Sequence, residues 1–310
     1  MNTKRSVALA LLGGFAYETK VFVGGQDGNA EIVDSPGGSA WLMTLAARAI
    51  GCRAALVATV GHDPLGDSLL SELGYIGGQF RGARTSKFDT LRFVSIVASG
   101  EPQTLYFSPP SPENLDMSQI NWSGIDALLL GYCSPADLAT VANLRSSPFL
   151  RVANASGAIL GLPASEAVGI LRSFDIALLN EAEISSLASV IGCKTEQVVE
   201  EVSDDGALLV IMRNRSGSVA FHHGKQIASA PAESVAVADA TGAGDALTVG
   251  FVTGLLGGLS IDAALKVGSR LAGRMCTLQR KARVRPGAWL DALSRQGAVD
   301  KDDRGGDRSS

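Results

Sequence analysis

Hydrophobic residues along the chain fall into short runs separated by longer stretches with helical spacing. Five short, mainly apolar runs predict buried strands: Ala54–Val60, Ala127–Leu130, Leu150–Ala153, Ile176–Leu179 and Ala207–Met212. Apolar residues at helical spacing predict helices at Ala40–Ile50, Pro163–Ser173 and Glu181–Ile191. Apolar strands that alternate with helices are typical of a parallel sheet covered by helices. The pattern therefore predicts an α/β protein.

Two regions depart from this pattern because polar and apolar residues alternate in them. They are Thr19–Val33 and Lys87–Phe107, and the second contains a predicted hairpin turn at Ser99–Pro102. Such alternation is typical of strands with one exposed face. We expect these strands to form a small separate sheet beside the main domain.

The N-terminal segment has two interpretations. Lys4 and Arg5 precede the apolar run Ser6–Leu12, as in a short signal peptide. The run is short for that purpose and no good cleavage site follows it. A buried first strand at Val7–Leu12 explains the same residues, so we expect the strand and a cytoplasmic protein. No run of apolar residues is long enough to predict a transmembrane helix.

Composition narrows the range of partners. The chain has 310 residues, 46% of them hydrophobic, and a formal net charge of −4. This length allows one large α/β domain or two smaller ones. Without a net basic field, we expect neither nucleic acid nor an anionic membrane as a partner. The four cysteines are widely spaced, which favours reduced thiols over a zinc site or disulfides.

The segment Asp239–Asp245, DATGAGD, carries the strongest chemical signal. Gly242 and Gly244 let the backbone turn tightly ahead of an apolar helix predicted at Ala243–Leu256. The first N–H groups of a helix have no intrahelical partner and, with the helix dipole, they attract anions. A carboxylate at Asp245 would lie beside that anion as a proton acceptor. The alternative is an ordinary helix cap.

The same segment closely resembles the C-terminal signature of the PfkB (ribokinase-like) family of carbohydrate and nucleoside kinases. Four further segments resemble family motifs in the family's order: PGGSAWLMTLAARAIG at Pro36–Gly51, VGHDPLGDSLL at Val60–Leu70, LLNEAE at Leu178–Glu183 and RPGA at Arg285–Ala288. The resemblance implies a three-layer α/β/α ribokinase-like domain with a mostly parallel central sheet and a small β-sheet lid. We expect this domain at residues 1–298, with the lid at about 15–35 and 85–110, and a disordered tail at 299–310.

The resemblance also implies roles for individual residues. ATP would be the phosphate donor, with Mg²⁺ and, as in many relatives, a monovalent cation such as K⁺. Asp245 would be the catalytic base, and the N–H groups of Gly242, Ala243 and Gly244 would form an anion hole. The remaining positions carried over are Asn180 and Glu183 near the triphosphate and its magnesium, and Asp239 and Thr241 at the monovalent cation. A loop-capping side chain is the alternative for Asp239.

Departures from the family pattern affect the two ends of the expected site. In the acceptor half, the double glycine Gly37-Gly38 is kept, but Leu42 replaces the usual acceptor-binding asparagine. Glu18 stands where the family has an acceptor-binding aspartate. In the nucleotide half, Met212–Ser216 lacks most of the usual T-x-G-x-x-G sequence. Arg213 and Arg215 are candidate phosphate contacts there, with solvated turn residues as the alternative.

These observations leave two main hypotheses. The first is an ATP-dependent phosphotransferase that acts on a hydroxyl of a sugar, cyclitol or nucleoside. The second is a non-catalytic ribokinase-like protein that binds a ligand or regulates a partner, which the eroded nucleotide-side motifs favour. A nicotinamide oxidoreductase fits poorly, because the third glycine of the dinucleotide fingerprint is missing. Since exposed lid edges gain from pairing, we expect a homodimer through the lid.

Overall fold

A central sheet and the helices around it account for most of the structure. The structure is a computed structural model, and it describes residues 6–23, 30–98, 104–107, 115–144, 147–154, 158–204, 207–278 and 286–295. The strands of these residues are β1 (Ala8–Leu12), β2 (Ala16–Val23), β3 (Ala30–Gly37), β4 (Arg53–Val57), β5 (Thr59–Gly61), β6 (Gln79–Phe80), β7 (Ala83–Thr85), β8 (Arg92–Ala98), β9 (Thr104–Phe107), β10 (Ala127–Leu130), β11 (Leu150–Asn154), β12 (Ile176–Asn180), β13 (Leu208–Met212), β14 (Ser218–His222) and β15 (Lys225–Ala230). The helices are α1 (Ser39–Ala49), α2 (Pro64–Tyr75), α3 (Pro135–Ala142), α4 (Ala164–Arg172), α5 (Glu181–Ile191), α6 (Thr195–Asp204), α7 (Ala243–Leu256), α8 (Ile261–Thr277) and α9 (Pro286–Arg295).

Nine strands form the central sheet, in the order β15-β14-β13-β12-β11-β10-β1-β4-β6. All neighbouring pairs from β13 to β6 are parallel, and β14 and β15 add an antiparallel hairpin at one edge. In a parallel sheet the carboxyl ends of the strands lie along one edge, where ligands usually bind. The first strand, β1, lies inside the sheet between β10 and β4, as expected of a buried apolar run.

Side chains of the central strands point alternately into two hydrophobic clusters. In β1, Leu9 and Leu11 belong to the cluster with α1, α7, α8 and α9, whereas Ala10 and Leu12 belong to the cluster with α3, α4, α5 and α6. Both faces of the sheet are thus covered by helices, which explains why the inner strands of the sheet are mainly apolar. The three-layer α/β/α prediction is confirmed.

A second sheet of four strands, in the order β3-β2-β8-β9, forms the lid. Its strands arise from the two regions of alternating polarity, and β2 shows the alternation clearly: Glu18 and Lys20 are buried, whereas Tyr17 and Thr19 are partly exposed. The small separate sheet is therefore confirmed. The predicted turn at 99–102 and the predicted disordered tail at 299–310 lie outside the described residues.

The prediction of one strand at Ala54–Val60 is wrong, because two strands in different sheets share this run. β4 pairs with β1 and β6 in the central sheet, and β5 pairs with β7 in a separate two-stranded sheet. The change of partner falls at Ala58, whose carbonyl accepts a hydrogen bond from the N–H of Ala83 at 3.0 Å. Among the helices of the described residues, none is long and apolar enough to cross a membrane.

Candidate active site

The loop before α7 approaches the rest of the protein closely at Gly242. This residue has φ = 84°, a left-handed conformation that glycine adopts at little cost. A Cβ built on Gly242 would lie 3.0 Å from Cδ1 of Leu42. The side chain that replaces the family's acceptor asparagine therefore packs beneath the glycine loop and is 5% exposed.

The N–H groups of the loop are only partly available to a ligand in this conformation. Ala243 N–H donates to the carbonyl of Ala240 at 3.1 Å. The N–H groups of Gly242 and Gly244 have no acceptor among the described residues, as expected at a helix start. Asp245 follows in the first turn of α7 and is 9% exposed. The loop thus places N–H donors that have no acceptor beside a buried carboxylate. This combination could bind an anion and accept a proton at the same place.

The lid contacts this loop through a buried network of charges. The ammonium of Lys20 donates to Oδ2 of Asp239 at 2.7 Å and lies 3.5 Å from Oγ1 of Thr241. It is also 3.7 Å from Oε1 of Glu18, which accepts a hydrogen bond from the Ser95 hydroxyl at 2.7 Å. The structure therefore brings the predicted acceptor carboxylate, Glu18, to the same network as two predicted cation ligands.

Lys20 was missed by sequence reasoning, although a signal for it exists. It lies two positions after Glu18 on a strand of alternating polarity, and such residues share one face of a sheet. A lysine on the buried face of a strand needs a partner of opposite charge. Ser95 lies on the adjacent strand β8, where Ser95 pairs in register with Lys20.

The double glycine lies against the acceptor end of the network. A Cβ built on Gly37 would lie 2.8 Å from the Cβ of Glu18 and 3.0 Å from Cζ of Phe93. Gly38 has φ = 91° and precedes α1, where its Cα packs on the backbone of Gly14. Both positions exclude larger side chains, so the glycines allow the lid strand to run close to the start of α1.

On the other side of the glycine loop lies a cleft of about 800 Å³. Its walls include Asn180, Arg215, Ala243 and Gly244. Arg215 thus lines the cleft, whereas the Nε of Arg213 is buried without a hydrogen-bond partner among the described residues. A phosphate donor bound in this cleft would reach the loop that precedes Asp245.

Asn180 and Glu183 form a capping box at the start of α5. Asn180 Oδ1 accepts a hydrogen bond from the N–H of Glu183, and Glu183 Oε2 accepts one from the N–H of Asn180, both at 2.8 Å. This cap fixes a carboxylate at the carboxyl end of β12. Mg²⁺ is often held by one or two carboxylates, water and substrate phosphates, so Glu183 fits a phosphate-bound magnesium.

Asp239 and Thr241 do not leave a site for a monovalent cation, because the Asp239 carboxylate is already hydrogen-bonded. Oδ1 of Asp239 accepts the N–H of Thr241 at 2.9 Å, the loop-capping contact, while Oδ2 accepts the ammonium of Lys20. The carboxylate that would hold the cation already has a lysine as its partner. Among the described residues, no group of three or more His, Cys, Asp or Glu could hold a metal ion.

The G-x-D-x-x-G segment has a structural role at the base of the lid. Asp63 caps α2 by accepting the N–H of Gly66 at 2.7 Å, and it also accepts the N–H and the hydroxyl of Thr90 at 2.5 and 2.8 Å. Burial by itself raises the pKa of Asp63, but these hydrogen bonds outweigh it and hold the pKa below its ordinary value. The segment thus anchors α2 to the chain that enters β8.

Two of the cysteines, Cys52 and Cys133, are not available as nucleophiles. Burial raises the pKa of Cys133 to about 12, with a further contribution from the nearby Asp137 carboxylate. Burial also raises the pKa of Cys52. A thiol must ionise to act as a nucleophile, so both are inert at neutral pH.

Comparison with solved structures identifies the fold. A nucleoside kinase from Burkholderia thailandensis in complex with inosine has a TM-score of 0.73 and 17% identity, covering 94% of this chain and 98% of that chain. Adenosine kinase from Sinorhizobium meliloti has a TM-score of 0.77 and 16% identity, covering 96% of this chain and 99% of that chain. At such identities the likeness establishes the ribokinase-like fold.

Sequence comparison adds the family. The model of the pfkB family carbohydrate kinases matches residues 15–283, so this chain belongs to that family. A Pyrococcus horikoshii protein, PH1459, whose name proposes a sugar kinase, is 22% identical over 82% of both chains. The bifunctional protein HldE of Azotobacter vinelandii is 27% identical over 78% of this chain, which spans 52% of HldE.

Proposed function

We propose that this protein is a kinase that transfers the γ-phosphate of ATP to a hydroxyl of a sugar, cyclitol or nucleoside. The observation that carries the proposal is the position of Asp245. Its carboxylate is buried in the first turn of α7, directly behind Gly242 and Gly244. Two surfaces meet at this loop: the cleft that contains Asn180 and the network that contains Glu18.

Asp245 accepts the proton of the acceptor hydroxyl as its oxygen attacks the γ-phosphorus. The bond between that phosphorus and the bridging oxygen of ADP breaks, and ADP leaves with the electron pair. The N–H groups of Gly242 and Gly244, together with the start of α7, stabilise negative charge on the transferring phosphoryl group. This support acts where charge develops, so it lowers the barrier instead of only tightening binding.

The cleft of about 800 Å³ would hold ATP, and Asn180 and Arg215, which line it, would contact the phosphates. Glu183 would hold Mg²⁺ through water, and the ion would neutralise phosphate charge. A guanidinium can bind two phosphate oxygens at once. Arg215 therefore supplies positive charge in the nucleotide half, where the usual glycine-rich sequence is reduced.

The acceptor lies under the lid, between Glu18 and Asp245. Glu18 is 4% exposed and its second carboxylate oxygen faces Gly37, where a Cβ would come within 3.0 Å. A carboxylate here can accept hydrogen bonds from two neighbouring hydroxyls of the acceptor. Leu42 is committed to packing against Gly242, so the acceptor is oriented by the carboxylate and not by an amide.

The test is ADP release in a coupled assay over a panel of sugars, cyclitols and nucleosides. The Asp245→Asn variant should lower kcat by about 10²- to 10⁴-fold, the contribution of a positioned general base. Asp262→Asn is the matched control, since Asp262 lies in the first turn of the neighbouring helix α8 and should retain full activity. Product formation at an unchanged rate in Asp245→Asn would contradict the mechanism.

ATP binding separates this proposal from a non-catalytic role. A ligand that prefers the native state raises the melting temperature. We expect ATP with Mg²⁺ to stabilise both the wild type and Asp245→Asn. A protein that binds no nucleotide in this assay, and turns over no acceptor, would be a binding or regulatory relative.

A homodimer through the lid is the proposed assembly. The outer face of the lid sheet carries Val23, Ile32 and Val94, which are 42%, 57% and 36% exposed. Val21 pairs in register with Ile32 on one side and Ile96 on the other, so these residues form a continuous apolar surface. An apolar sheet face of this kind is stabilised when a second copy covers it.

A further inference from the structure

We propose that the ammonium of Lys20 is the built-in cation of the glycine loop, so that this kinase works without a monovalent metal ion. The inference rests on the proposed function and concerns the same site. The side chain of Lys20 is 3% exposed, and its nitrogen lies 2.7 Å from Oδ2 of Asp239. It reaches this place from strand β2 of the lid, across 219 positions of sequence.

The coordination of Asp239 leaves little room for a second cation. Oδ1 accepts the N–H of Thr241 at 2.9 Å, and Oδ2 accepts Lys20. A cation bound to Oδ2 would lie beside the ammonium, and like charges repel strongly where water is excluded. The Thr241 hydroxyl, another oxygen that a cation could use, is 3.5 Å from the same ammonium.

Lys20 also explains how the network tolerates its burial. An isolated buried ammonium is costly, but Lys20 lies between two carboxylates, Asp239 at 2.7 Å and Glu18 at 3.7 Å. The remaining negative charge is stabilised at Glu18 by the hydroxyl of Ser95. Lys20 is thus a positioning residue: it holds Asp239, and through Asp239 the loop that carries Asp245.

Removal of the ammonium should convert this place into a cation site. The Lys20→Met change keeps the apolar stem but leaves the Asp239 carboxylate buried without its partner. The oxygen atoms of Asp239, Thr241 and Glu18, which lie 2.7, 3.5 and 3.7 Å from the ammonium nitrogen, would then be left to bind a cation such as K⁺ or ammonium ion. We therefore expect the variant to gain a dependence on these ions that the wild type lacks.

The first measurement compares the wild-type protein in potassium chloride and in tetramethylammonium chloride at equal ionic strength, so that screening is constant. Rate and melting temperature should be the same in both salts. Activation or stabilisation of the wild type by K⁺ would overturn the inference. The melting temperature needs no acceptor, so this result stands even if the proposed kinase activity fails.

The second measurement uses variants. In Lys20→Met, K⁺ or ammonium ion should raise the rate about tenfold and should raise the melting temperature. Lys20→Met/Asp239→Asn lacks the carboxylate and should respond to neither ion. Lys20→Arg keeps the charge and should remain independent of K⁺, which protects the test if Lys20→Met folds poorly. A Lys20→Met protein that folds but ignores both ions would overturn the inference.

Discussion

Leu42 packs against the backbone of Gly242, and this contact joins the acceptor half of the site to the glycine loop. At the residue scale, Leu42 therefore packs on the glycine loop at the position where the family usually has an asparagine that contacts the acceptor. In the proposed site, Glu18 would take over the polar contacts at that end, with Ser95 and Lys20 as its partners. One apolar side chain and one ion pair thus fix the loop from two sides.

Two glycines with the same backbone angle allow this contact to be measured. Gly242 and Gly258 both have φ = 84°, but a Cβ on Gly258 would meet nothing within 4 Å. Both Gly→Ala changes should cost about 1–2 kcal/mol because the left-handed conformation disfavours a side chain. Gly242→Ala should cost more, and its excess should shrink in a Leu42→Ala background.

Urea unfolding of the wild type, the two glycine variants, Leu42→Ala and the Gly242→Ala/Leu42→Ala double variant measures these free energies. Of the two glycine variants, only Gly242→Ala should lower kcat. Equal destabilisation by Gly242→Ala and Gly258→Ala would show that Leu42 does not press on the loop. Leu42→Ala alone should cost about 2–5 kcal/mol, as for other buried leucines.

At the scale of elements, the motif residues of the site also hold helices in place. Asn180 and Glu183 cap α5, and Asp63 caps α2 while it binds the backbone of Thr90. Each residue therefore has a structural role that a simple alanine variant would confuse with a chemical one. Substitutions that keep the cap separate the two.

Glu183→Gln is such a substitution, because glutamine also closes a capping box. It should change the free energy of unfolding by less than about 0.5 kcal/mol, whereas Glu183→Ala should cost about 1 kcal/mol. If Glu183 holds Mg²⁺, Glu183→Gln should need a higher Mg²⁺ concentration for half-maximal rate. An unchanged Mg²⁺ dependence would limit Glu183 to the cap.

Asp63 should make stability depend on pH in the acid range. Its folded pKa lies below the unfolded value of about 3.9, so the unfolded state binds the proton first. The contribution is therefore fully present above about pH 4 and is lost as the pH falls through the folded pKa. We expect wild type to be more stable than Asp63→Asn at neutral pH, with a difference that shrinks on acidification in urea titrations. A difference independent of pH would contradict this account.

At the scale of the whole molecule, the lid sheet has two faces with different roles. Glu18 and Lys20 point inward to the site, and the apolar residues Ile32 and Val94 point outward. A dimer through the outer face would stabilise the strand that carries Lys20, so assembly and catalysis would share one element.

Light scattering after gel filtration tests the dimer. Ile32→Lys should shift the protein towards monomer, because a charge at the centre of an apolar interface is costly to bury. Val190→Lys is the control, since Val190 is 61% exposed on helix α5. A wild-type monomer, or equal effects of both changes, would contradict the lid interface.

Much of the fold could be predicted from the sequence because local patterns determine it. Continuous apolar runs predicted β10 at its observed bounds, and helical spacing predicted α5 at its observed bounds. The break at Ala58 was missed because both neighbouring strands are apolar and only their partners differ. The roles of Asp245, Glu183 and Arg213 remain predictions.

The sequence by itself determined the alternation of strands and helices, the family, and the glycine loop with its carboxylate, since each depends on residues close together in the chain. Only the tertiary structure decided what Asp239 binds. Lys20 and Asp239 are 219 positions apart and meet because the lid folds over the loop before α7. A buried carboxylate must be paired, and its partner, in this protein a lysine, is decided by which strand the fold brings beside it.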